Sequence, residues 1–80
     1  MNLTEFTEFL LKKITKEPDM VKVKEFDSEE GKIVEILVSE SDMGRVIGKK
    51  GKIANSIKTI IQAKAYNDGE KKIKINIDSF

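Results

Sequence analysis

The 80-residue sequence predicts an α+β domain with its elements in the order α-β-β-α-α-β. Three observations carry this. Apolar residues recur at helical spacing in residues 3–16 and again in 52–66, with a short helical segment at 42–47. They alternate with polar residues, or run nearly unbroken, in 20–26, 32–39 and 71–78. The segment joining the second and third of these strands is long enough to be a crossover, so the third strand should run parallel to the second, by a right-handed connection. The first two strands, joined by a turn, form an antiparallel hairpin. The result is a three-stranded mixed sheet with all three helices on one face and the other face open to solvent.

In the first helix, Leu3, Phe6, Leu10 and Ile14 form an apolar stripe that Phe9 and Leu11 widen. Asn2 and Glu5 have the spacing of a capping box. Acids lie early and Lys12, Lys13 and Lys16 late, as the helix dipole favours. Pro18 should end it, because the residue before proline avoids the helical region. In residues 20–26, Val21 and Val23 alternate with Lys22 and Lys24, but Phe26 falls on the opposite parity, which predicts a bulge or a strand end near Glu25. Asp27-Ser28-Glu29-Glu30-Gly31 is a solvated turn. Residues 32–39 read as the central strand, with Val34, Ile36 and Val38 on one face and Ile33, Glu35 and Leu37 on the other. Ser41 is the expected N-cap of the short helix, whose Met43, Val46 and Ile47 face one way. Ile53, Ile57, Ile60 and Ile61 form the expected buried stripe of the long helix, with Ala54, Ala63 and Ala65 allowing close approach, and Asn67-Asp68-Gly69 breaks it. In the last strand Ile73, Ile75 and Ile77 point inward; Lys22, Lys24, Lys72 and Lys74 line the open face.

Composition excludes whole classes of chemistry. A chain this short is one domain, spanning 1–80, with a single small core. It has neither cysteine nor histidine, which removes the usual zinc sites, cysteine nucleophiles and imidazole acid–base catalysis. The lack of disulfides fits a reducing compartment. No signal peptide or membrane-spanning run is expected, and the adjacent acids Glu29 and Glu30 do not resemble a positioned catalytic pair. We expect no enzyme activity, no cofactor, no metal and no small-molecule substrate.

The net charge of +1 hides a strong asymmetry. Residues 25–42 hold seven acids and only Lys32, whereas residues 43–67 hold Arg45, Lys49, Lys50, Lys52, Lys58 and Lys64 and no acid. At the centre of the basic segment lies Gly48-Lys49-Lys50-Gly51, between two helices and with nothing apolar to bury. Glycines there let the backbone take positive φ and approach a ligand closely. The loop leads into a helix N-terminus, whose free amides and dipole favour an anion. Amides, dipole and lysines all point to a phosphate. A mononucleotide P-loop is excluded because, counting from Gly44, the position that should be glycine is Lys49. The dinucleotide fingerprint fails in glycine spacing and in following a helix. A Gly-x-x-Gly turn joining two short helices next to a strand instead resembles the backbone clamp of KH domains.

Residues 42–61, with Val46-Ile47-Gly48-Lys49-Lys50-Gly51 at their centre, resemble the signature of a type II KH domain, and the element order matches over essentially the whole chain. Gly44-Arg45-Val46-Ile47-Gly48 is most similar to the bacterial stand-alone KH proteins of the KhpA (YlqC) family. The resemblance implies a cytoplasmic protein that binds single-stranded RNA. Gly48, Lys49, Lys50 and Gly51 would follow the sugar-phosphate backbone of about four nucleotides. Arg45, Met43, Val46 and Ile47 would belong to the first groove helix, and Lys52, Ile53, Asn55, Ser56 and Lys58 to the second. The third strand would form the opposite wall, with a variable loop at 66–71. For Asn55 a base contact and a plain exposed turn both stay open, as do phosphate contact and ordinary exposed charge for Lys58. Tyr66 reads as a packing residue rather than a stacking platform. The resemblance also implies self-association, or pairing with a larger KH protein of the Jag type. The alternative function is an interaction and dimerisation module with secondary RNA contact.

Overall fold

The computed structural model describes residues 1–80. Helix α1 spans Leu3–Ile14, strand β1 Lys22–Ser28, strand β2 Gly31–Val38, helix α2 Met43–Ile47, helix α3 Lys52–Asn67 and strand β3 Ile73–Ser79. The capping box forms: the Asn2 side chain accepts from the Glu5 amide at 2.8 Å, and the Glu5 carboxylate accepts from the Asn2 amide at 3.1 Å. The helix stops at Ile14, two residues before its expected end, with Thr15 already extended. Pro18 is not the cause; it opens a single 3₁₀ turn further on. The cause is Asp42, whose carboxylate takes the amides of Lys16 and Glu17 at 2.9 and 3.0 Å and so removes them from the helical ladder.

The buried face of α1 is Leu3, Thr7 and Leu11, while Phe6, Leu10 and Ile14 flank it half-buried. Phe9, expected in the stripe, is 51% exposed, and the Lys13 ammonium sits 4.9 Å from its ring centroid, one turn along. Thr7 was missed because a hydroxyl does not register as core.

The sheet order is β1-β2-β3, with β1 and β2 antiparallel and β2 and β3 parallel. Pairing of β1 with β2 runs without interruption from Lys22↔Leu37 to Ser28↔Gly31. The bulge or strand end expected near Glu25 is therefore absent, and β1 continues to Ser28. Phe26 keeps the parity of Lys22 and Lys24 and stands on the open face opposite Ile33. The turn between these strands needs Gly31: its φ is +125°, and a Cβ there would lie 2.7 Å from the Cβ and the carbonyl oxygen of Lys72.

One core cluster joins Val21, Val34, Ile36, Val38 and Ile75 of the sheet side to Leu3 and Leu11 of α1, Val46 of α2, and Ile57, Ile61 and Ala65 of α3. All three helices thus share one sheet face. The stripe of α3 is Ala54, Ile57, Ile61 and Ala65, rotated from the one expected: Ile53 and Ile60 are 42% and 44% exposed. Of the three alanines expected to allow close approach, Ala54 and Ala65 are buried and Ala63 is exposed.

Lys32 is a further surprise. It lies on the helix-covered side of β2, its ammonium 3.8 Å from Glu25, 3.5 Å from Asp27 and 3.5 Å from Glu70. Desolvation pulls its pKa down, but the three carboxylates outweigh that and raise it. The one cation of the acidic segment thereby ties the hairpin to the loop that follows α3.

Candidate nucleic-acid interface

The expected N-cap role of Ser41 is not what the structure shows. A 3₁₀ turn at Glu40–Asp42 leads into α2, and no side chain caps it. Ser41 instead donates to the Glu17 carboxylate at 2.6 Å, and Ser39 donates to Asp42 at 3.0 Å. Asp42 is 1% exposed. These contacts pin the segment after α1 to the start of α2, and so set the position of the loop that α2 carries. The only sequence signal for this latch is the run Ser39-Glu40-Ser41-Asp42 at the end of the central strand.

The Lys16 amide, with the Glu17 amide and the Ser39 hydroxyl, holds the Asp42 carboxyl below its ordinary 3.8 despite burial. The Ser41 hydroxyl, helped by Ser39, holds Glu17 below its ordinary 4.5. Lowered carboxylate pKa values stabilise the fold above the unfolded values and lose that contribution as pH falls through the folded ones. The raised pKa of Lys32 works in the other sense: its contribution holds below 10.5 and fades as pH rises through the folded value. Thermal melts should therefore show a stability plateau between 4.5 and 10.5, falling at either side. A maximum confined to mid-range, with slopes between pH 6 and 8, would contradict this, because no histidine titrates there.

Helix α2 closes with the Gly48 amide donating to the Gly44 carbonyl at 2.9 Å. Gly48 then takes φ +73°, ψ 178°, a region open essentially to glycine alone. A Cβ at Gly48 would also come within 2.5 Å of Ile53 Cγ1. Lys49, Lys50 and Gly51 make one tight turn, with the Gly51 amide donating to Gly48 at 3.3 Å. Lys50 is the one non-glycine residue at positive φ, 56°, and Gly51 follows at 76°. No side chain caps α3. The Lys52 amide donates to the Lys49 carbonyl, and the turn holds Lys49 and Lys50 beside the start of the helix.

The structure brings most of the candidate residues together and separates others. Arg45 and Ile47 on α2, Gly48, Lys49, Lys50 and Gly51 in the turn, and Lys52 and Ile53 at the start of α3 follow one another along the chain, and the turn brings Ile53 against Gly48. Lys49, Lys50 and Lys52 are exposed and make no ion pair, whereas Arg45 lies 3.8 Å from Asp42. Lys58 stands about 10 Å further along α3. It borders a cleft of about 460 Å³ that follows the free edge of β3, lined also by Leu37, Ile75, Asn76, Ile77 and Asp78. Asn55, three residues before Lys58, shares that flank of α3. Ser56 falls on the other flank with Ile53 and Ile60. Asn76 and Asp78 lie on the third strand, which the resemblance makes the opposite wall of the groove; Leu37 of β2 was not expected there, since nothing local marks it as part of a groove wall.

A profile describing the KhpA/KhpB KH domain matches residues 4–77. The chain belongs to this family. It is 41% identical to the RNA-binding protein KhpA of Clostridium perfringens over 69 residues, covering 86% of this chain and 92% of that one. It is 41% identical to RNA-binding protein KhpA of Thermotoga maritima over 73 residues, covering 91% and 97%. Among solved structures, Aquifex aeolicus Era bound to GDP and aluminium fluoride superimposes with a TM-score of 0.71 at 21% identity, over 98% of this chain and 30% of Era. Era with MgGDPNP and a 16S ribosomal RNA segment gives 0.68 at 20%. These two establish fold likeness alone. The KH assignment of the α-β-β-α-α-β order, with its mixed sheet, thus stands on both the family match and the architecture. No helix is long and apolar enough to cross a membrane.

Proposed function

We propose that this KH domain grips short single-stranded RNA; its KhpA relatives are named RNA-binding proteins. Gly48-Lys49-Lys50-Gly51 follows the sugar-phosphate backbone, and bases enter the cleft between α3 and the free edge of β3. The observation that carries the reading is the loop: two glycine conformations and three unpaired lysines meet at an uncapped helix N-terminus. Lys49, Lys50 and Lys52 neutralise phosphates, and Arg45 joins them at the end of α2. Asn55 and Lys58 meet the RNA further along the groove. The protein works in the cytoplasm and needs no cofactor.

With two to four phosphate contacts, log affinity against log salt should fall with a slope of about −1.5 to −3, at roughly 0.7 per contact. Titrating a short labelled RNA at several salt concentrations measures this; a slope near zero would sink the reading.

A second reading, self-association or pairing with a larger KhpB partner of the Jag type, is favoured by Ile53 and Ile60. Both are exposed aliphatics on one flank of α3, away from the cleft. Pairing would also add avidity to a small RNA footprint. Sedimentation of wild type and Ile60→Glu should show a dimer shifted toward monomer by the substitution. A wild type that stays monomeric alone and with the partner would reject this second reading.

A further inference from the structure

The sheet face that no helix covers carries an unexplained arrangement. Side chains alternate along each strand, and those turned from the core form three rows across the sheet: Lys22–Leu37–Asp78, Lys24–Glu35–Asn76 and Phe26–Ile33–Lys74. Phe26 is 48% exposed there and contributes nothing to the core cluster. Lys72 extends the face, because the missing side chain of Gly31 lets the chain at Lys72 pass beside the hairpin turn, where its carbonyl accepts from the Lys32 amide at 3.0 Å. Between Gly31, Ile33, Lys72 and Lys74 lies a recess of about 160 Å³.

Charge decides what fits this face. Lys22, Lys24, Lys72 and Lys74 have no carboxylate partner; the paired cations are Lys12, Lys32, Arg45 and Lys64. The acids present are Glu35 in the middle row, Asp78 at the far end and Glu30 on the rim of the recess. Four unpaired ammonium groups on the same face as an open aromatic ring select a polyanion that also carries flat apolar rings. Base–aromatic stacking is tolerant of sequence and needs only one accessible ring face per base.

We propose that the open sheet face holds a second stretch of the same single-stranded RNA, with Phe26 stacking a base and Lys24, Lys72 and Lys74 meeting phosphates. The cleft makes the path continuous. Its lining includes Glu35, Leu37, Asn76 and Asp78 of the open face together with Lys58 of α3, so it wraps the free edge of β3 from one side of the sheet to the other. RNA leaving the clamp crosses that edge without leaving the protein. The inference rests on the RNA reading of the Gly-Lys-Lys-Gly loop.

The test compares labelled single-stranded RNAs of about 5 and about 15 nucleotides, spanning the range that one domain covers. Phe26→Ala with Lys74→Ser should weaken the long RNA about 10-fold and leave the short one unchanged. Lys24→Ser with Lys74→Ser should show the same pattern more weakly, and it guards against a folding defect of the first variant. Equal binding of the long RNA by wild type and both variants would overturn the proposal. So would a loss of protein self-association with RNA binding intact. Failure of the clamp reading shows separately, as short-RNA binding that survives Lys49→Asp with Lys50→Asp.

Discussion

Replacing Lys49 and Lys50 together by Asp should weaken binding of a short single-stranded RNA about 100-fold or more. The estimate takes two charge-assisted contacts at about 1.5 kcal/mol each, at 1.4 kcal/mol per tenfold. Reversing the charge also places two anions at the helix terminus that the phosphate would occupy. The fold should survive. Both side chains are exposed and unpaired, and Asp accepts the left-handed conformation of position 50 better than most residues. Anisotropy with RNA and a thermal melt on the same preparation separate the two effects. Unaltered RNA affinity in a folded variant would remove the loop from the binding site.

Much of this architecture was legible because it is local. The capping box of α1, the alternation in β3 and the Gly-Lys-Lys-Gly turn each depend on residues within a few positions of one another. What sequence pattern missed depends on partners far along the chain. Helix α1 ends where it does because Asp42, 26 residues after Lys16, takes its next amides. Ser41 looks like a cap but bonds Glu17, 24 residues back. Lys32 looks like a stray cation until folding surrounds it with Glu25, Asp27 and Glu70. Phe26 was forced inward, at the cost of an imagined bulge, on the assumption that a phenylalanine must be buried. Ile53 and Ile60 misled for the same reason. In each of these three cases the apolar residue left outside is one to which the proposals here give an outside role. For the site, the clamp was readable as a string of residues, while the third strand as the opposite groove wall came only with the family resemblance, because the walls come from α3, β2 and β3 and meet only in the folded sheet.

Gly48→Ala should be the most damaging conservative change in the loop. Two costs coincide at this position. The backbone, at φ +73° and ψ 178°, lies in a region that a side chain strains by about 1–3 kcal/mol. The new methyl would also meet Ile53 at 2.5 Å, an overpacking cost of about 1–3 kcal/mol that a partly exposed side chain relieves in part. A loss of about 2–4 kcal/mol is expected from a total that, for a domain of this size, is about 4–12 kcal/mol. The melting temperature should fall by about 10–25 °C. Gly51→Ala provides the contrast, because its φ is +76° but no atom lies within 4 Å of the added methyl, so about 1 kcal/mol is expected. Adding Ile53→Ala to Gly48→Ala removes the Cγ1 and Cδ1 contacts but leaves the residue-53 Cβ at 2.9 Å and the backbone strain, so it should recover part of the loss but not all. Full recovery would mean that the collision alone required glycine. A drop of less than about 3 °C in the single variant would mean that the loop has another low-energy conformation, and that the clamp is not held ready for phosphate by its backbone.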